Sequence, residues 1–302
     1  MRAIVFDRFG GPEVLHEAEQ PIPSPGRGQI RVRVRAAGVN PVDAKIRSGA
    51  MEHIFPSPLP AVLGSEFAGT VDALGEGVED VTVGEEVLAW ADTGAYAEYA
   101  LASRYAVKPR ELSWPEAASL PVAGDAARRV LRRLAVAEGE TLLIHGATGG
   151  VGTMTVQLAV RQGVRVIGTA GAANQDYLAS LGATPTRYGP GLVERVRALA
   201  PGGPHAVFDA AGKGALPDSV TLLGGTDRIV TIADFTASAL GVAFESGPQL
   251  RDPADLAALA RQAASGQLTV TVAATYPLKD AALAHEAGAS GHTRGKRVLT
   301  LP

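Results

Sequence analysis

At 302 residues and 46% hydrophobic content, the chain is long enough for one large or two medium cores. Net charge is −3 with both signs interspersed, which argues against nucleic acid or an anionic membrane as partner. Cysteine is absent, which excludes disulfides, a thiolate nucleophile and every cysteine-based zinc site.

The opening Met1-Arg2-Ala3-Ile4-Val5-Phe6-Asp7 is too short an apolar run for a signal peptide. No stretch nears the roughly 18 apolar residues of a membrane span, so a soluble cytoplasmic protein is expected. Arginine outnumbers lysine 23 to 5, which suits a GC-rich coding sequence better than a binding role. Gln29 to Ala36 alternates apolar and charged residues with period two and predicts a strand. Gly69–Leu74, Glu86–Trp90 and Ala95–Ala100 predict three more, with turns at Gly75-Glu76-Gly77 and Pro56-Ser57-Pro58. Together they predict an antiparallel, barrel-like domain.

Near Trp114 the texture changes. Ser113-Trp114-Pro115-Glu116 reads as a helix start, with serine as cap and proline in the first turn. Strands then alternate with helices: strand 141–145, helix 150–162, strand 165–169, helix 174–181, strand 185–188, helix 191–199, strand 206–209, helix 214–223 and strand 228–232. This is the pattern of a doubly wound parallel sheet. Ala254–Gly266 predicts a last helix. Thr269–Val272 and Arg297–Leu301 read as strands around a helical Lys279–Gly288, a tail expected to return to the first domain. The expected division is therefore 1–113 with 267–302, and 114–266. No internal repeat stands out.

His145-Gly146-Ala147-Thr148-Gly149-Gly150-Val151-Gly152 lies between the apolar strand Thr141–Ile144 and the amphipathic helix from Met154. A glycine turn between strand and helix is where such sheets bind the pyrophosphate of a dinucleotide. Glycine permits close backbone approach, and the helix N-terminus offers unpaired N–H groups. The familiar G-x-G-x-x-G pattern would fall on Ala147–Gly152, with alanine in place of the first glycine. With that A-x-G-G-V-G form after a strand ending in His-Gly, the chain resembles the zinc-independent quinone oxidoreductases (zeta-crystallin-like) of the medium-chain dehydrogenase/reductase superfamily. Gly38–Gly49, Leu63–Gly69, Gly94–Tyr99, Tyr276–Ala281 and Thr293–Lys296 follow that family's landmarks in order.

The resemblance implies an α/β protein: a GroES-like antiparallel β-barrel catalytic domain plus a Rossmann nucleotide-binding domain. It also bears on zinc. The zinc alcohol dehydrogenases have a metal-binding cysteine at Asn40 and a histidine at Ser65, and neither residue here is a competitive ligand. The six histidines (16, 53, 145, 205, 285, 292) show no pair at ligand spacing, so a metal-free enzyme is expected. NAD-binding sheets carry an acid roughly 20 residues past the glycines for the ribose 2′-hydroxyl. Here Thr169-Ala170-Gly171-Ala172-Ala173-Asn174 has none before Asp176, which favours NADPH. In the family, the positions of Gly171 and Tyr188 contact the 2′-phosphate. A basic residue often stands near Gln175, and this chain lacks it there.

The same resemblance sets the nicotinamide in a cleft between domains, lined by Asn40 and Asp43 from the barrel and by Ile232, Ala233 and Phe244 from the sheet. Thr169, Gln175 and Ala211 join Ala147–Gly152 in the expected cofactor site. Asn40 has a second reading as a turn residue before Pro41. Lys45 stands where relatives often have tyrosine; it is either a cation that stabilises oxyanion charge or donates a proton, or a solvated surface lysine. Many relatives have threonine at Ala126, and Asp125 beside it is either a compensating polar group or a helix N-cap. The run Arg128-Arg129, Arg132-Arg133 reads as a solvated helix face, with anion or acyl-carrier contact as the second reading.

The expected function is an NADPH-dependent, metal-free reductase acting on a quinone or an α,β-unsaturated carbonyl compound. One alternative is a biosynthetic enoyl reductase. Another, from a different class, is an NADPH-binding sensor or RNA-binding protein without turnover. The chain is short for the family between Phe235 and Ala254, which predicts an open substrate side suited to a bulky acceptor. The family's dimers predict a homodimer along the Rossmann edge, here the apolar Leu240–Phe244.

Overall fold

Ile30, Val32 and Val34 point inward while Arg31, Arg33 and Arg35 face outward, and this period builds the longest strand of the protein. The structure is a computed structural model, and it describes residues 1–54, 56–246, 251–289 and 293–302. The first part of the chain holds β1 (Arg2–Phe6), β2 (His16–Glu19), β3 (Ile30–Val39), α1 (Pro41–Arg47), β4 (Ala61–Val62), β5 (Glu66–Leu74), β6 (Glu86–Trp90), β7 (Tyr99–Ala102), β8 (Arg104–Val107) and α2 (Trp114–Ala118). The middle runs α3 (Pro121–Leu134), β9 (Thr141–His145), α4 (Gly150–Arg161), β10 (Arg165–Ala170), α5 (Gln175–Ser180), β11 (Thr184–Arg187), α6 (Leu192–Leu199), β12 (Ala206–Asp209), α7 (Leu216–Leu223), β13 (Ile229–Thr231) and β14 (Ala243–Phe244). The tail holds α8 (Pro253–Ala264), β15 (Val272–Pro277), α9 (Ala281–Ala289) and β16 (Lys296–Thr300).

The chain divides into one unit of Met1–Val122 with Arg251–Pro302 and a second of Ala123–Leu250. The first unit centres on β3, antiparallel to β5, β7 and β16 in a sheet ordered β15-β16-β3-β5-β6-β8. A small sheet, β2-β1-β4, completes it. Phe6, Ile30, Val32, Phe67, Val87, Tyr96 and Leu299 form the buried core. β3 and β5 approach closely at Gly38, where an added Cβ would lie 2.2 Å from Oε1 of Glu66, so only glycine fits beside that carboxylate.

The second unit is an all-parallel sheet ordered β11-β10-β9-β12-β13-β14, the order of a doubly wound nucleotide-binding fold. β9 is buried along its whole length, as a central parallel strand must be. No described helix is long and apolar enough to cross a membrane.

Several sequence expectations need correction. The division comes at 122/123 and 250/251 rather than at 113/114 and 266/267, because α2 packs on β3 and β5 and α8 packs on β8. Ser113 does cap α2, accepting from the Glu116 N–H with Glu116 reaching back to it. The segment expected as strand 95–100 is paired as a strand only from Tyr99. Ala95 and Tyr96 donate instead to Gly64 and Leu63, and Ala97 makes one bridge to Ala3. In the tail, the strand begins at Val272 rather than Thr269. Leu240–Phe244 is mostly not strand: a single 3-10 turn covers Ala237–Leu240, Gly241 turns the chain at φ +69°, and two residues remain for β14. The open substrate side expected between Phe235 and Ala254 falls partly on 247–250, and His292 likewise lies outside the described residues.

Candidate active site

In the second unit the sequence-predicted residues converge on one edge. Ala147–Gly152 follow β9, Thr169 and Gly171 end β10, and Tyr188 follows β11. Ala211 follows β12, Ile232 and Ala233 follow β13, and Phe244 ends β14. All lie at the carboxyl ends of parallel strands, where doubly wound sheets bind ligands. Gly149 stands at the N-cap of α4 without a side-chain hydrogen bond, so the first N–H groups of that helix have no side-chain acceptor. Gly152 is required by the turn, because a Cβ there would lie 2.2 Å from the Gly146 carbonyl oxygen. Gly146 N–H and Ala147 N–H donate to Oγ1 and the carbonyl oxygen of Thr169 at 3.3 and 3.2 Å. Thr169 is buried and shapes the glycine turn from behind. These residues fit a dinucleotide: backbone donors, a helix N-terminus and no side chain filling the turn.

Two residues the sequence reading missed hold this edge in shape. Asp209, fully buried at the end of β12, accepts from the N–H groups of Ala211 (3.0 Å) and Gly212 (3.1 Å) and from Thr231 Oγ1 (2.8 Å). Oγ1 of Thr231 in turn accepts from Ala233 N–H and Asp234 N–H. The available signal was an acid ending a buried strand just before Ala-Ala-Gly. Phe244 stacks on Phe235 at 5.5 Å between centroids. Gln175 spends its amide on backbone, donating to the carbonyls of Ala170 (2.8 Å), Gly171 (3.2 Å) and Thr186 (3.3 Å).

Asp125 lies inside α3 and is not an N-cap, because the helix begins at Pro121. Its Oδ2 accepts from Arg129 Nε at 2.9 Å, and Arg129 also pairs with Glu245 at 2.6 Å. The arginine run is therefore only partly a solvated face. Arg132 and Arg133 are exposed, yet Arg133 reaches Glu245 at 3.7 Å and Arg129 turns fully into the same ion-pair cluster.

In the first unit, Asn40 and Asp43 sit in a buried polar network. Asn40 precedes Pro41 in extended backbone (φ −119°, ψ 152°), as the turn reading expects, yet its side chain is fully engaged. Nδ2 donates to Glu66 Oε1 at 2.9 Å, and Oδ1 accepts from Lys296. Lys296 also pairs with Glu66 at 2.6 Å, and Glu66 Oε2 accepts from Val122 N–H at 2.7 Å. Asp43, fully buried, accepts from Asn40 N–H (2.8 Å), Ser65 Oγ (2.8 Å) and Tyr96 (3.1 Å). Burial pushes the Asp43 carboxyl above its ordinary range, against the Ser65 and Asn40 donors and the Lys296 ammonium.

Beyond it, His285 Nε2 lies 3.2 Å from the Tyr96 hydroxyl, and Arg47 lies 2.8 Å from His285 Nδ1. Arginine can only donate, so Nδ1 accepts, Nε2–H donates to Tyr96, and Tyr96 O–H donates to Asp43. Burial, aided by Arg47 and Arg297, pulls the His285 imidazole down to about 4, and it is neutral at physiological pH. Lys45 is half-buried on α1. Glu66, Lys296, Tyr96, His285 and Arg47 were missed as site residues. Lys296 meets Asn40 and Glu66 only because β16 pairs with β3.

This network also bears on whether a metal ion would fit here. Both polar atoms of the Asn40 side chain are taken, and a lysine ammonium lies against it. A divalent cation does not fit that donor set. Among the described residues, no group of three or more His, Cys, Asp or Glu is arranged to hold a metal ion.

A GroES-like unit bearing this network, joined to a parallel sheet with a glycine turn, defines a medium-chain dehydrogenase/reductase. Residues 26–111 match the alcohol dehydrogenase GroES-like domain, and residues 181–299 match a model described as zinc-binding dehydrogenase. The chain is 31% identical to mouse quinone oxidoreductase over 100% of its own length and 98% of the relative's. The solved quinone oxidoreductase from Coxiella burnetii superposes with TM-score 0.88 at 32% identity, covering 100% of this chain and 99% of that one. The Escherichia coli quinone oxidoreductase complexed with NADPH gives 0.89 at 28%, with full coverage of both chains. The chain belongs to the quinone oxidoreductase family of the medium-chain dehydrogenases/reductases and is an oxidoreductase.

Proposed function

We propose that the protein is an NADPH-dependent, metal-free reductase of a quinone or of an α,β-unsaturated carbonyl compound. The observation that carries this reading is the Lys296–Glu66–Asn40 triad, an organic hydrogen-bond network where the zinc alcohol dehydrogenases hold their metal. Alcohol oxidation wants a Lewis acid to stabilise the alkoxide, and this donor set supplies none; reduction of an electron-poor acceptor needs only a hydride source and a stabilised oxygen. When bound, NADPH supplies the hydride from C4 of its nicotinamide. The strand-end residues of the second unit bind the dinucleotide, its pyrophosphate against the N–H groups at Gly149–Gly152. Asn40 and Asp43, held rigid by Glu66, Lys296 and Tyr96, orient groups on the first unit. The Lys45 ammonium stabilises the enolate or hydroquinone oxygen. Asp125 has a structural role through Arg129.

The same reading carries a homodimer formed along the β14 edge, whose outer side pairs with no described strand, and a cytoplasmic site of action. The test is a paired titration with NADPH and NADH, following oxidation at 340 nm with 9,10-phenanthrenequinone, 1,4-benzoquinone and a 2-alkenal. NADPH-specific turnover supports the reading, and the ranking of acceptors separates quinone from enoyl chemistry. Tight NADPH binding without turnover on any acceptor overturns it in favour of a sensor.

A further inference from the structure

We propose that Arg187 supplies the cation that recognises the 2′-phosphate of NADPH, in place of a basic residue at Gln175. The proposal rests on the NADPH reading above. Arg187 is the last residue of β11 and the register partner of Ala170, the last residue of β10. It is exposed, and among the described residues its guanidinium makes no hydrogen bond or ion pair. Gly171 and Tyr188, the positions that the family resemblance assigns to the 2′-phosphate, directly follow this pair of residues, so the cation stands at the carboxyl ends of the same two strands.

The other candidates in this stretch are spent. Gln175 carries no charge, and its amide ties the end of β10 to the end of β11 through Ala170, Gly171 and Thr186. Arg195 donates to the carbonyls of Arg187 (2.8 Å), Gly189 (3.1 Å) and Pro190 (2.8 Å). Its guanidinium braces the turn after β11, with both terminal nitrogens held by backbone oxygens. Arg165 begins β10, at the opposite edge of the sheet. The one acid of α5, Asp176, forms no ion pair with Arg187. A positive charge held on a backbone clamped from both sides is organised for an anionic oxygen.

The experiment measures dissociation constants of NADPH, NADH, 2′,5′-ADP and 5′-AMP by isothermal titration calorimetry. It uses the wild type, Arg187→Ala and Arg187→Lys. Arg187→Ala is expected to weaken NADPH and 2′,5′-ADP about tenfold or more, with NADH and 5′-AMP unchanged. Arg187→Lys should keep most of the discrimination. Unchanged NADH binding also shows that the variant is folded. If the wild type binds NADPH no better than NADH, the cofactor reading itself fails. If the wild type prefers NADPH and Arg187→Ala keeps that preference, or loses both dinucleotides equally, the assignment of Arg187 is overturned while the cofactor reading stands.

Discussion

Lys296→Met tests the buried network most directly. The ammonium is 5% exposed and lies 2.6 Å from a Glu66 carboxylate with no exposure at all. Methionine keeps the length and apolar stem of lysine and removes only the charge and its donors. Glu66 would keep two neutral donors, Asn40 Nδ2 at 2.9 Å and Val122 N–H at 2.7 Å, with no counter-charge, and Asn40 Oδ1 would lose its donor. Breaking one side of a buried pair costs about 3–5 kcal/mol, whereas an exposed pair is worth about 1 or less. Removing both charges with Glu66→Gln/Lys296→Met should cost less than the sum of the single changes by about 2 kcal/mol or more. Urea unfolding followed by tryptophan fluorescence reads the relevant unit, because both tryptophans, Trp90 and Trp114, lie in it. A Lys296→Met cost below about 1 kcal/mol, or strictly additive single changes, would refute the reasoning and mean that water screens the pair.

Gly152→Ala drives a Cβ to 2.2 Å from the Gly146 oxygen, so the turn must shift; NADPH binding by calorimetry should weaken at least about tenfold, with a lower Tm. His285 binds a proton near 6.5 when unfolded and near 4 when folded, so between these values the unfolded chain holds more protons and stability falls as pH falls. Acidification across that window should cost the wild type on the order of 3 kcal/mol more than His285→Gln, read from urea midpoints at each pH; parallel curves would show that the imidazole titrates normally. Lys45→Met should lower kcat about tenfold or more with the KM for NADPH unchanged, whereas an unchanged kcat would return Lys45 to the solvated surface reading.

The order of strands and helices, the parallel sheet and the glycine turn were legible because they follow from local periodicity and from turn residues. The residues of the glycine turn were legible as candidates through a short motif, and Asn40 and Asp43 through the resemblance of their loop to the family's. What local pattern cannot carry is long-range pairing. That Lys296 faces Glu66 and Asn40 follows from β16 lying on β3, and that Arg47 reaches His285 joins residues distant in sequence. The domain boundaries shifted for a related reason. A helix's own sequence sets that it forms, but which sheet buries its apolar face is decided by packing, as with α2 and α8. Leu240–Phe244 looked like an edge strand by its apolar run, and a turn at Gly241 shortened it to two residues. Asp125 and Gln175 show the same limit at single positions. Residue type marked both as polar groups near a site, and only the tertiary structure decided their partners, an arginine one helical turn away and three backbone carbonyls. Composition and periodicity thus determined the class of fold, and the glycine motif marked the candidate dinucleotide site. Tertiary structure decided which charges are buried together, because that depends on contacts no local stretch of chain contains.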